Sequence, residues 1–280
     1  MAYTDQFKEG EESPKEMSFL EHLDELRKYI FRSVIAIGIG FLIALLNQEF
    51  IFETIIFGPT HSDFLTYRWL CELAQKYPTL GALCFEMKEF KLIATDMDAQ
   101  FMRYMSGSLI AGAIVAFPFV IYQLWTFVKP ALKQKEIQSV RGMTFIITGL
   151  FFTGVLFGYF LIAPFSIAFF ANFKLSPQIE NYFNIDSYIS ILTMLTLATG
   201  LVFQFPVLCY FLAKVSILTS EFLRKYRKHS VVVISVIAAA ITYDVISLVL
   251  MMIPLWGLYE ISIFVVRRAE KTLDKWNGSS

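Results

Sequence analysis

The sequence predicts an all-α integral membrane protein of six transmembrane helices, N-in and C-in, with short spans five and six. Three observations predict it. Hydrophobic residues make up 56% of the 280-residue chain and charged ones 17%, against about 25% charged in an ordinary soluble domain. The apolar residues gather into runs that can cross a bilayer, for which roughly 20 are needed. Alternating these runs across the membrane leaves only six of the 24 lysines and arginines outside, namely Arg68, Lys76, Lys88, Lys91, Arg103 and Lys174. That bias places both termini in the cytoplasm. The net charge of zero conceals it, because the imbalance lies across the membrane.

Residues 1–16 are a polar N-terminal tail without the apolar core of a cleavable signal peptide. The remainder, 17–280, reads as one membrane domain. An amphipathic helix begins at Ser18, where Ser18-Phe-Leu-Glu21 fits a capping box. It should lie on the inner surface and run on into span one, Tyr29–Leu46. The outer loop 47–100 is too long for a plain connector and should carry local structure. Cys71 and Cys84 both fall there. A disulfide between them and two unpaired buried thiols are both compatible with their spacing.

Span two, Met102–Val128, ends in FPFVIYQLWTFVKPALKQKE (Phe117–Glu136). Its aromatics meet the headgroups and its lysines reach water. One acid, Glu136, stands in that basic tail. Span three is Met143–Ala163, and the second outer loop runs from Pro164 to Asp186. Span four, Ile189–Ala213, carries Gln204. Tyr243-Asp244 divides the last apolar region into Val231–Thr242 and Val245–Val266, since an aspartate is costly at mid-bilayer. Asp244 is expected in a solvated turn. Glu260 is expected near the inner end of span six, paired with Arg267 or Arg268. Residues 267–280 form a cytoplasmic tail.

No cysteine–histidine cluster has metal-ligand spacing, and no phosphate loop, nucleophile elbow or HExxH is present. The sequence therefore offers no catalytic constellation, no cofactor site and no sign of nucleic-acid binding. Glu25 and Glu136 stand out as acids on a basic inner surface. Either they read an arginine of a partner, which a carboxylate can bind bidentately, or they balance the adjacent Lys28 and Lys135, which is worth little at an exposed surface.

SFLEHLDELRKYIFR (Ser18–Arg32) and the Phe117–Glu136 segment together resemble the TatC family, the multispanning core of the twin-arginine protein translocase. IATD (Ile93–Asp96), GYFLIAPF (Gly158–Phe165), DSYIS (Asp186–Ser190) and LTSEFLRKYRKH (Leu218–His229) match in the same order, and Pro254 and Glu260 also fit. The resemblance implies export of folded proteins rather than catalysis. It implies that Glu25 and Glu136 bind the paired arginines of a signal peptide, with Leu23, Arg27, Tyr122, Phe127 and Pro130 shaping the same surface. Pro59 and Asp96 match outer positions that cap the bundle. The implied partners are TatA- and TatB-type single-span subunits, signal peptides, membrane lipid and further copies of the chain. The resemblance also implies a bacterial inner membrane as the location and the proton gradient as the energy source. One departure stands out: Gln204 occupies a position where the family often has glutamate, so polarity is kept and a titratable proton is not. The competing reading, a secondary transporter of a small solute, needs charged groups at mid-membrane, where the chain offers chiefly Gln204.

Overall fold

The computed structural model describes residues 19–77, 91–128, 142–176, 178 and 181–277. Helix α1 (Phe19–Leu46) carries the surface helix and the first span in one unbroken run of 28 residues. Nothing in it, neither proline nor a polar break, interrupts the ladder. It packs along α3 (Ala99–Val128) at a crossing made by two glycines. A Cβ on Gly40 would stand 2.6 Å from the Gly112 carbonyl oxygen, and one on Gly112 2.6 Å from the Gly40 carbonyl carbon. Backbones this close exclude any side chain, the usual way helices associate where no hydrophobic effect drives them. The outward face of α1 stays bare, with Phe31, Val34, Leu42 and Leu46 exposed. A helix apolar on its outer face as well belongs in lipid.

Between α1 and α3 the chain forms a π-helical stretch (Phe50–Ile56), a short 3₁₀ turn (Gly58–Thr60), α2 (Leu65–Lys76) and the two-residue strand β1 (Leu92–Ile93). α4 (Met143–Phe157), a π-helical segment (Gly158–Ile162) and α5 (Ala163–Asn172) make one continuous rod. Pro164 lacks the amide that would bond the Phe160 carbonyl, and the Thr66 hydroxyl from α2 donates to that carbonyl instead. Strand β2 (Phe183–Asn184) pairs in parallel with β1, Leu92 opposite Phe183 and Ile93 opposite Asn184. It leads into α6 (Ile185–Val202), and after a break at Phe203-Gln204, before Pro206, into α7 (Phe205–Lys214).

α4 and α6 touch through a second glycine seam. A Cβ at Gly154 would lie 2.8 Å from the Thr199 carbonyl oxygen, and one at Gly158 2.9 Å from that of Leu195. Ile162, Ile189, Leu195 and Met251 are the fully buried centre, where the third rod, α6 and the last helix meet.

The chain closes with α8 (Ser220–Lys225), α9 (Arg227–Ile241) and α10 (Val245–Asn277). Among the described residues five helical stretches are long and apolar enough to cross a membrane, the last being Val245–Lys271. Three expectations for this region change, and the shortness of the fifth apolar run does not. The last span is not short: α10 has 33 residues, and 27 of them, Val245–Lys271, form the stretch long and apolar enough to cross a membrane. α9, with 15 residues, is about 22 Å long, less than the ~30 Å hydrocarbon core.

Asp244 is also not solvated. It is buried, accepting a hydrogen bond from the Ser166 hydroxyl of α5 and another, at 2.7 Å, from the Ser247 amide in the first turn of α10. A carboxylate that caps a helix and takes a hydroxyl keeps its partners inside the bundle. Glu260 pairs with Arg227 at 2.7 Å rather than with Arg267 or Arg268. Those arginines lie two turns along the same helix, about 10 Å away, whereas the first residue of α9 faces Glu260 directly.

Candidate functional site

The surface that the sequence singles out is built where α1 begins and α3 ends. Glu25 and Tyr29 are one helical turn apart on α1, hence on one face. The Tyr29 ring meets Phe127 of α3 edge-on, with centroids 6.1 Å apart, and the Arg32 guanidinium stands 5.9 Å above Tyr29. Tyr122, one turn and a half before Phe127, is half exposed. Trp125 turns inward, buried against Met143 and Ile147 and 5.8 Å from the Phe211 ring of α7. The amphipathic end of α3 thus grips the bundle with Trp125 and presents Tyr122 outward.

Glu25 is the acid of this surface. Its Oε2 is shut off from solvent and has no hydrogen-bond partner among the described residues. A carboxylate oxygen shut off from solvent is costly without a donor. Arg27 is exposed, and Leu23 lies on α1 two residues before Glu25. Glu136 and Pro130 lie outside the described residues. Tyr29 and Arg32 were not singled out from sequence. Their signal was the Glu25–Tyr29 spacing, which puts an aromatic one turn above the acid.

The remaining predicted positions lie elsewhere. Gln204 donates from Nε2 to the Ile147 carbonyl at 3.3 Å, while its Oε1 is buried and without a partner among the described residues. Pro59 is fully buried in the 3₁₀ turn at the opposite end, its carbonyl accepting from the Tyr67 hydroxyl at 3.1 Å. Asp96 is exposed just before α3, and its carbonyl accepts the Ala99 amide. Cys71 is disulfide-bonded and Cys209 is a free buried thiol. Cys84 lies outside the described residues.

That opposite end is held by hydroxyls that sequence reasoning missed. Tyr159 donates to the Ile55 carbonyl at 2.7 Å and Tyr188 to that of Ile56 at 2.6 Å, on the π-helical stretch. Tyr104 donates to the Leu45 carbonyl at 2.7 Å. Burial holds the Tyr67 phenol well above its ordinary value of 10.0. Arg103 pairs with Asp186 and donates to Ser190 at 2.8 Å, and Asn184 caps α6 and donates to Thr95 at 2.7 Å. Two stretches singled out far apart in sequence, Ile93–Asp96 and Asp186–Ser190, therefore meet. A cavity of about 720 Å³ between Leu46 and Glu53 also lies at this end, away from Glu25.

The arrangement is that of a multi-pass membrane protein with a polar surface where α1 begins and α3 ends, and no catalytic geometry among the described residues. The family model for the Sec-independent protein translocase protein TatC matches residues 21–254. The TatC of Blattabacterium sp. subsp. Periplaneta americana is 38% identical over 252 residues, covering 89% of this chain and 95% of its own. That of Carboxydothermus hydrogenoformans is 36% identical over 258 residues, covering 90% and 94%. A crystal structure of the twin arginine translocase receptor TatC superposes with a TM-score of 0.67 at 33% identity, covering 89% of this chain and all of the other. Matched over nearly its whole length in sequence and in backbone, the chain belongs to the TatC family of Sec-independent protein translocase proteins.

Proposed function

We infer that this chain is the signal-reading core of a twin-arginine translocase, with six spans, both termini in the cytoplasm and a bacterial inner membrane as its place. It binds the paired arginines of a signal peptide at the surface formed by Glu25, Tyr122, Phe127 and Arg27, with Glu136, Leu23 and Pro130 completing it. The observation that carries this is the buried, unpartnered Glu25 Oε2 beside an exposed tyrosine and a fixed aromatic pair. A guanidinium offers the planar fork that such an oxygen lacks, and lysine does not.

The chain is a transport subunit and not an enzyme. Six helices of this length cannot by themselves enclose a folded cargo, so TatA- and TatB-type subunits and further copies of the chain assemble with it, and the proton gradient supplies the energy. On the outer side, Pro59 and Asp96 belong to the cap, and Cys84 is the partner of Cys71. Gln204 and Glu260 serve inside the membrane domain, the first through a polarity that export requires and the second in the ion pair with Arg227.

A photocrosslinker at Tyr122, with Glu25 and Glu136 left intact, tests the reading. It should capture a twin-arginine signal peptide and lose it when both arginines become lysines, or when Glu25→Gln and Glu136→Gln are combined. Equal capture of both peptides overturns the mechanism.

A further inference from the structure

We propose that the corner between α8 and α9 is a docking surface for the headgroup of an anionic phospholipid. Its depth is the first argument. The Asp244 carboxylate is tied to Ser166, six residues before α5 ends at Asn172, so the α9–α10 turn sits about 9 Å inside that end of the bundle. The 15 residues of α9 add about 22 Å, which brings the corner to the opposite boundary of a ~30 Å hydrocarbon core. The corner therefore lies among headgroups rather than beyond them.

Charge is the second argument. The two acids of α10 among the described side chains, Glu260 and Glu270, are already engaged. Glu260 pairs with Arg227, and Glu270 accepts both the Ser220 amide and the Ser220 hydroxyl at the start of α8. Tyr259 fixes the same segment by donating to the Leu223 carbonyl at 2.7 Å. These contacts hold α8 against the end of α10 and leave Arg224, Lys225, Lys228, Arg267 and Lys271 exposed and without a partner among the described residues. Glu221, on α8 itself, is the exposed acid beside them. Among the described side chains, five unpartnered cations stand against one unpaired acid, a surface with an anion's complement.

The aromatic content completes the case. Phe222 is 51% exposed and Tyr226 40% exposed, their rings 4.6 Å apart, with the His229 ring 5.6 Å from Tyr226. Apolar rings beside cations at this depth form the mixed surface that a glycerol backbone and phosphate require together. A soluble anion has no use for the rings, and an acidic protein loop has no reason to sit in the headgroup plane.

The test uses the full chain in lipid nanodiscs with spin-labelled phosphatidylglycerol or phosphatidylcholine as probe. The motionally restricted fraction should favour phosphatidylglycerol by roughly threefold or more. The preference should fall to near one in Arg224→Gln/Lys225→Gln/Lys228→Gln and at high salt, which screens exposed charge, and persist in Lys91→Gln/Lys174→Gln at the other end. The salt arm needs no variant, so a misfolded triple substitution leaves the proposal falsifiable. Equal restriction of both lipids, retention of the preference in the triple variant or at high salt, or its removal by millimolar inorganic phosphate overturns the assignment. Signal-peptide capture is read separately and need not change.

Discussion

At the residue scale the chain places polar groups where a membrane protein tolerates them only with a partner, and the exceptions are informative. Asp244 has its partners, so Asp244→Ala should lower stability by about 1–3 kcal/mol, read as a drop in thermal midpoint in detergent, with Asp244→Asn less damaging because it keeps an acceptor. Gln204 has only half of its own. Gln204→Leu removes a 3.3 Å bond to the Ile147 carbonyl and an orphaned oxygen together, so stability should change by less than about 1 kcal/mol. Export should fall regardless, and unchanged export would reduce Gln204 to a contact between helices. Tyr67 sets a pH limit. Its folded pKa is raised, so the protonated phenol is favoured in the native state, and its contribution is fully present below the ordinary value of 10.0 and lost as pH rises past it. Alkaline unfolding followed from pH 9 to 12 should be shallower in Tyr67→Phe.

At the element scale the two glycine seams set how closely the rods lie. Gly112→Leu would force α1 away from α3 and should cost at least about 3 kcal/mol, whereas Gly38→Leu, two residues from Gly40 with nothing within 4 Å of its Cβ position, should be neutral. Comparing the yield of folded protein for the two variants separates seam from lipid face. These seams were not legible from composition, because a glycine against lipid and a glycine against backbone look alike in sequence. Spans one to four were legible: length and apolarity decide them. The last hairpin was legible only at its break. Asp244 does divide it, but the expectation that an aspartate there must reach water ignored that Ser166, 78 residues earlier, supplies a buried donor.

Taken whole, the molecule has two ends with different physics. One is a surface where α1 and α3 meet through Tyr29 and Phe127 beside the Glu25 carboxylate, whose Oε2 has no partner among the described residues. The other is a cap in which tyrosine hydroxyls and one short parallel ladder satisfy carbonyls left by irregular backbone. The contact between the start of α1 and the end of α3 was partly legible, since the segments that hold Glu25 and Phe127 were both singled out, though not the Tyr29–Phe127 pair that joins them. The cap was not, because its bonds join residues about a hundred positions apart and follow no periodicity. Cys71→Ser should destabilise the cap by about 2–3 kcal/mol, measured as earlier proteolysis within 47–100 while α4 and α6 stay protected.

The reach of that cap has a consequence in time. The Ile56 carbonyl waits for the Tyr188 hydroxyl, 132 residues later in the chain. At ordinary rates of synthesis that separation lasts on the order of ten seconds. During that interval the Ile56 carbonyl is without the hydroxyl that later satisfies it, so the end of the molecule around Glu25 can form before the opposite end can close.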